Sequence, residues 1–151
     1  MPRDALTNAF DHFKRLDHIL YVSLKYAKSE EVFENLIARY VDAYESGFLS
    51  LLRYMEDKKQ LDEQPDAPVK KALLLQEKYL DEPIVQAGLQ DYFILKKIRI
   101  DGFSMTNHYR KHVTVIANYD ETIRYEIPDF ITMHGTLKEF LLFIKSLLLE
   151  D

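Results

Sequence analysis

Apolar residues recur at intervals of three and four through most of this chain and at intervals of two in one short part, which predicts a helical protein carrying a small antiparallel element. Across residues 4–27, Leu6, Phe10, Phe13, Leu20 and Leu24 share one helical face, with Ile19, Val22 and Tyr26 widening it. Ser29 then reads as an N-cap, followed by Glu30 and Glu31 where the helix dipole favours negative charge. From there Phe33, Leu36, Ile37, Tyr40, Val41, Tyr44, Phe48, Leu51, Leu52 and Met55 hold helical spacing, predicting a long helix over 30–58. Gly47 interrupts it at about 1 kcal/mol relative to alanine, so a close helix–helix contact is expected there.

The charged segment 57–67, with Pro65 inside it, reads as a surface loop. Helices over 68–80 and 83–99 follow, each opened near a proline. The second runs into Ile98-Arg99-Ile100, whose alternation suits either helix or strand, and then into the turn signal Asp101-Gly102. Two-residue alternation over 112–118 and 122–127 predicts a hairpin. Its apolar sets share one face only if the loop is odd, as with Tyr119-Asp120-Glu121. A last helix over 130–149 is either continuous or restarted at Thr136, where Thr136 and Glu139 form a capping-box pattern. His134, beside Gly135, reads as a turn residue. The fold class is therefore α+β, mainly α: one domain of four or five helices with a two-stranded antiparallel hairpin at about 112–127 before the C-terminal helix.

Two features suggest a homodimer. An isolated hairpin is marginal in water, so its apolar face needs the helices or a second copy. The final helix leaves only a narrow polar strip among Leu137, Phe140, Leu141, Leu142, Phe143, Ile144, Leu147, Leu148 and Leu149.

Charge sharpens the picture. The chain of 151 residues has a formal net charge of −5, yet 93–115 gathers Lys96, Lys97, Arg99, Arg110 and Lys111 against Asp101 alone. The absence of cysteine excludes disulfides, thiolate metal sites and cysteine nucleophiles. No apolar run has the length of a signal peptide or a membrane span, so a cytoplasmic protein without membrane contact is expected. No P-loop, G-x-G-x-x-G, H-E-x-x-H or G-x-S-x-G motif is present, which disfavours nucleotide hydrolysis, dinucleotide chemistry, zincin proteolysis and hydrolase-type serine catalysis. No cofactor is implied.

The candidate site is the basic stretch itself: Lys96, Lys97, Arg99, His108, Tyr109, Arg110, Lys111 and His112 as an anion- or nucleic-acid-binding surface. Tyr92, Phe93, Phe103 and Tyr109 are candidate stacking surfaces for unpaired bases. The catalytic alternative uses His108, Arg110 and His112 for RNA cleavage; the bland one is a solvated junction whose cations offset acidic neighbours. Asp11, Arg15 and His18, with His12 and Asp17 beside them, share a face that reads as intrahelical ion pairing. Two ligands there make no complete metal site, and no metal is expected.

Two likenesses bear on function. The run LDHILYVSLKY (Leu16 to Tyr26), then Ala38-Arg39 and Asp42-Ala43-Tyr44, then YRKHVT (Tyr109 to Thr114), resembles a family of small uncharacterised archaeal proteins, with no catalytic residues implied. The helical bundle is superficially similar to HEPN domains, whose ribonucleases carry an Arg and a His separated by four to six residues; here Arg15 to His18 spans two, Arg99 to His108 eight and Arg110 to His112 one. The leading expectation is a non-catalytic, homodimeric binding protein engaging RNA, a ribonucleoprotein or another acidic partner. The alternatives are an RNase-like enzyme and a purely structural protein–protein interaction module.

Overall fold

A computed structural model describes residues 1–106 and 112–150 of the chain. Helix α1 spans Pro2–His18 and continues through a π-helical turn, Ile19–Ser23, into a last α turn, Leu24–Tyr26. Leu16, Leu20 and Leu24 are all buried at four-residue spacing. A regular α-helix would rotate each by about 40° from the one before, and the wider π turn takes that drift out. Helix α2 spans Glu30–Asp57 and is capped as predicted, Ser29 Oγ accepting from the Val32 amide at 3.3 Å. Helix α3 is Pro68–Lys78, and α4 is Pro83–Asp101. The ambiguous Ile98–Ile100 stretch is therefore helical, and α4 stops at Gly102, whose φ of 87° suits glycine.

Three short strands follow: β1 Phe103–Thr106, β2 Thr114–Ala117 and β3 Arg124–Tyr125, antiparallel in the order β1-β2-β3. The predicted hairpin is the β2–β3 pair, with Val115 opposite Tyr125 and Ile116 opposite Arg124, centred on Asp120 as an odd loop requires. Its strands are shorter than 112–118 and 122–127. In the turn between them the Asp120 carboxylate accepts from the Thr122 amide at 3.0 Å and the Thr122 hydroxyl at 2.6 Å. Strand β1 is an addition to the expected hairpin. Val115 and Ala117 are buried, and Ile123 and Tyr125 pack against the core, so this sheet face is covered by helices of its own chain.

The last helix, α5 (Ile127–Leu149), runs without interruption and starts earlier than expected. Its capping box is Glu126–Asp129, the Glu126 amide donating to Asp129 Oδ2 at 2.8 Å. Thr136 is no cap: its hydroxyl donates to the Thr132 carbonyl inside the helix. His134 is accordingly a helical residue, not a turn residue.

Helix α2 is the axis of the fold, with α1, α3, α4 and α5 all packed against it. The Ser50 hydroxyl donates to the Pro2 carbonyl at 2.7 Å, and Arg39 meets His12, so α1 and α2 are antiparallel. The expected contact at Gly47 is with α5, where Phe140 lies between Gly47 and Gly88 of α4. Most of the apolar surface of α5 is thereby consumed within the chain: Leu137, Phe140, Leu141, Ile144 and Leu148 are buried, while Leu142 and Leu149 are exposed. Among the described residues no helix is long and apolar enough to cross a membrane.

Candidate functional site

The side of α2 turned away from the core carries Arg39, Asp42, Glu45, Ser46 and Leu49 at helical spacing, and its neighbours supply complementary groups. From α4, Lys96 Nζ reaches Glu45 Oε2 at 2.7 Å and Arg99 Nη1 reaches Asp42 Oδ1 at 2.8 Å. Tyr92 donates its hydroxyl to the same Glu45 oxygen at 2.8 Å. From α1, His12 Nδ1 lies 3.1 Å from Arg39 Nη1. A guanidinium only donates, so the ring accepts at Nδ1 and is the neutral tautomer with its proton on Nε2. Burial lowers the pKa of His12, opposed by Asp42 and reinforced by Arg39 and Arg15.

Between these helices and the start of α3 lies a groove of about 360 Å³, lined by His12, Asp42, Glu45, Ser46, Leu49, Pro68 and Lys71. Lys71 holds the preceding loop by donating to Gln64 Oε1 at 2.8 Å and the Pro65 carbonyl at 2.5 Å. Past the Asp42–Arg99 pair a second recess of about 460 Å³ continues toward the sheet, with Arg99, Asn35 and Asn118 in its walls. Around the first groove Arg39, Lys71, Lys96 and Arg99 stand beside Asp42 and Glu45, and Glu30 and Glu34 line the second recess.

The predicted basic stretch is divided. Lys96 and Arg99 join the groove. Lys97 pairs with Asp101 at 3.7 Å and sits 5.1 Å from the Tyr119 ring centroid. His112 is exposed, its Nδ1 3.5 Å from Glu126 Oε1. His108, Tyr109, Arg110 and Lys111 lie outside the described residues, so of the alternative catalytic trio only His112 is placed. Tyr92 is wholly buried and unavailable for stacking on a base, while Phe93 and Phe103 are half-buried against the core; Tyr109 again lies outside the described residues.

The expected ion-pair face of Asp11, Arg15 and His18 forms no ion pair among the described residues. Their neighbours turn to other helices instead, His12 to Arg39 and Asp17 to His134. His134 stacks on Phe13 with centroids 4.5 Å apart, and its Nε2 lies 3.0 Å from Asp17 Oδ1. Burial lowers the His134 pKa and outweighs Asp17, which raises it. A second buried set surrounds Asp91, whose carboxyl burial pushes up to about 6, near the hydroxyls of Tyr40, Tyr44 and Tyr125.

The sequence reading missed Arg39, Asp42, Glu45 and Lys71. The signal was present as the polar stripe complementary to the apolar face of α2, but such a stripe is the ordinary solvated side of a helix until α1 and α4 bring charges to it. Among the described residues no group of three His, Asp or Glu side chains could hold a metal. Comparison with protein-family models, curated proteins and solved structures returns no match to this chain.

Proposed function

We propose that this chain is a non-catalytic binding protein whose groove over α2 engages an acidic partner, RNA being the polyanion it is best suited to. The observation that supports this is the cluster of cations there: Arg39, Lys71, Lys96 and Arg99 stand in and around a groove whose walls also carry Asp42 and Glu45. Asp42 and Glu45 hold Lys96 and Arg99 in place, and a phosphate approaching the groove competes with those carboxylates for the same donors. Exposed or half-exposed ion pairs are worth about 0–1 kcal/mol, so exchanging them for phosphate contacts costs little.

Fluorescence anisotropy of a labelled single-stranded RNA against salt concentration tests this. Three or four phosphate contacts give a slope of log K on log salt of about −2 to −3. Combining Arg39→Ala, Lys96→Ala and Arg99→Ala should weaken binding about tenfold or more, whereas Asp42→Asn with Glu45→Gln should tighten it, since the competing carboxylates are gone. Absence of binding at low salt, or binding indifferent to both sets, rejects the proposal.

A further inference from the structure

The recess beyond the Asp42–Arg99 pair, about 460 Å³, falls within the roughly 300–1,000 Å³ typical of small-ligand sites. The half-buried Phe103 gives it an aromatic wall, and Glu34, Asn35 and Asn118 give it polar groups. Asn118 is held in place: its Nδ2 donates to the Asp101 carbonyl at 3.2 Å and its amide to the Gly102 carbonyl at 3.1 Å. A β-carbon on Gly102 would stand 2.9 Å from that Nδ2, so glycine makes room for the side chain and leaves Oδ1 as a fixed acceptor. The side chains of Glu34 and Asn35, by contrast, have no ion-pair or hydrogen-bond partner among the described residues. Glu30, also in the recess, is a first-turn acid of α2 that the helix dipole favours. Glu34 lies a turn further in, where the dipole no longer accounts for it.

A carboxylate beside a groove that takes phosphates weakens binding of any nucleic-acid backbone. A ligand offsets that cost if it presents two N–H donors side by side. Guanine does so, with N1–H next to the N2 amino group on its Watson–Crick edge. Adenine and cytosine set a ring acceptor beside their amino group, and uracil sets a carbonyl on each side of N3–H. We propose that this recess takes a guanine base of a single-stranded RNA whose phosphates lie in the groove over α2, which rests on the RNA reading above. Glu34 accepts from N1–H and N2–H, and the Asn35 amide donates to O6 of the same edge. Phe103 contacts the purine ring, and Asn118 Oδ1 accepts from the ribose 2′-hydroxyl. Arg99 lines the recess and pairs with Asp42 of the groove, so it serves the phosphate between the two.

Uncharged nucleosides probe the recess without the groove. In NMR titrations of the full chain, guanosine is expected to shift the amides of Asn35, Gly102 and Asn118 and to bind about tenfold or more tightly than adenosine, cytidine or uridine. Glu34→Gln should bring guanosine down to the level of adenosine, because the new amide sets a donor against a donor. Glu34 is exposed, so an unchanged melt is expected to show that the variant folds. In a second arm, an oligouridine carrying one guanine is compared by fluorescence anisotropy with the same oligomer carrying one adenine. Wild type should prefer guanine about tenfold. Glu34→Gln should lose that preference while its affinity for the adenine oligomer holds or rises, since a negative charge has gone. A variant that tightens both oligomers alike overturns the proposal, as does a wild type with no preference for guanosine. Selective guanosine binding without RNA binding keeps the guanine recess and rejects RNA as the source of the base. RNA binding without base preference keeps the groove and rejects the recess.

Discussion

The ring of Phe140 lies against Gly47 across the α2–α5 contact, 3.0 Å from where a β-carbon on Gly47 would stand. It cannot retreat, because Gly88 receives its other side with a corresponding distance of 3.2 Å, and the rings of Tyr44 and Phe48 stand 5.4 and 5.7 Å away. Alanine at 47 gains up to about 1 kcal/mol of helix propensity but overpacks a filled site, at about 1–3 kcal/mol. Gly47→Ala is therefore expected to lose about 1 kcal/mol in urea denaturation, and Phe140→Leu in the same chain to recover part of it. A raised midpoint for Gly47→Ala contradicts this packing.

Two buried tyrosines one turn apart on α2 should respond oppositely to the same change. The Tyr40 hydroxyl donates to the Phe130 carbonyl, tying α2 to the start of α5. The Tyr44 hydroxyl is buried with no hydrogen-bond partner among the described residues. Tyr40→Phe is expected to cost about 1 kcal/mol, and Tyr44→Phe to be neutral or to stabilise by up to about 1 kcal/mol, since an unmade buried hydrogen bond carries its full desolvation penalty. Denaturant midpoints for the two variants settle the ordering, and equal losses would show that Tyr44 is satisfied.

Asp91 sets a pH dependence of known sign. Burial raises its carboxyl from the ordinary 3.8 to about 6 in the folded chain, so between those values the native state holds a proton that the unfolded state has released. Its contribution is fully present below pH 3.8, is lost as pH rises through about 6, and is constant above that. Asp91→Asn keeps the neutral shape at every pH. The variant should exceed wild type by roughly 1 kcal/mol at pH 8, less than the full shift implies because the half-buried carboxyl keeps some hydration. At pH 4 the difference should nearly vanish, and a constant difference across the range would rule out titration of Asp91 as its cause.

Much of the fold was legible because its signals are local. Ser29 before Glu30 and Glu31, the apolar run from Phe33 to Met55 and the odd loop centred on Asp120 each depend on residues close in sequence. Strand β1 was not legible: its alternation covers only Phe103 to Thr106, too short a run to stand out. The π turn at Ile19–Ser23 was hidden for a different reason, since it answers the need of Leu16, Leu20 and Leu24 to meet one core. His134 beside Gly135 resembled a turn because local propensity knows nothing of Phe13 stacked on the imidazole from α1.

The sequence by itself determined where the helices lie, which face of each is apolar, and that positive charge collects around residues 96–112, because periodicity and composition are properties of neighbours along the chain. Only the tertiary structure decided which charges meet. Lys96 and Glu45 are 51 residues apart and Arg99 and Asp42 are 57, yet each pair closes within 3 Å once α4 lies beside α2. Coulombic attraction acts through space and falls off over a few ångströms of protein and water, so the site is defined by helix packing and not by the spacing of its residues in the chain.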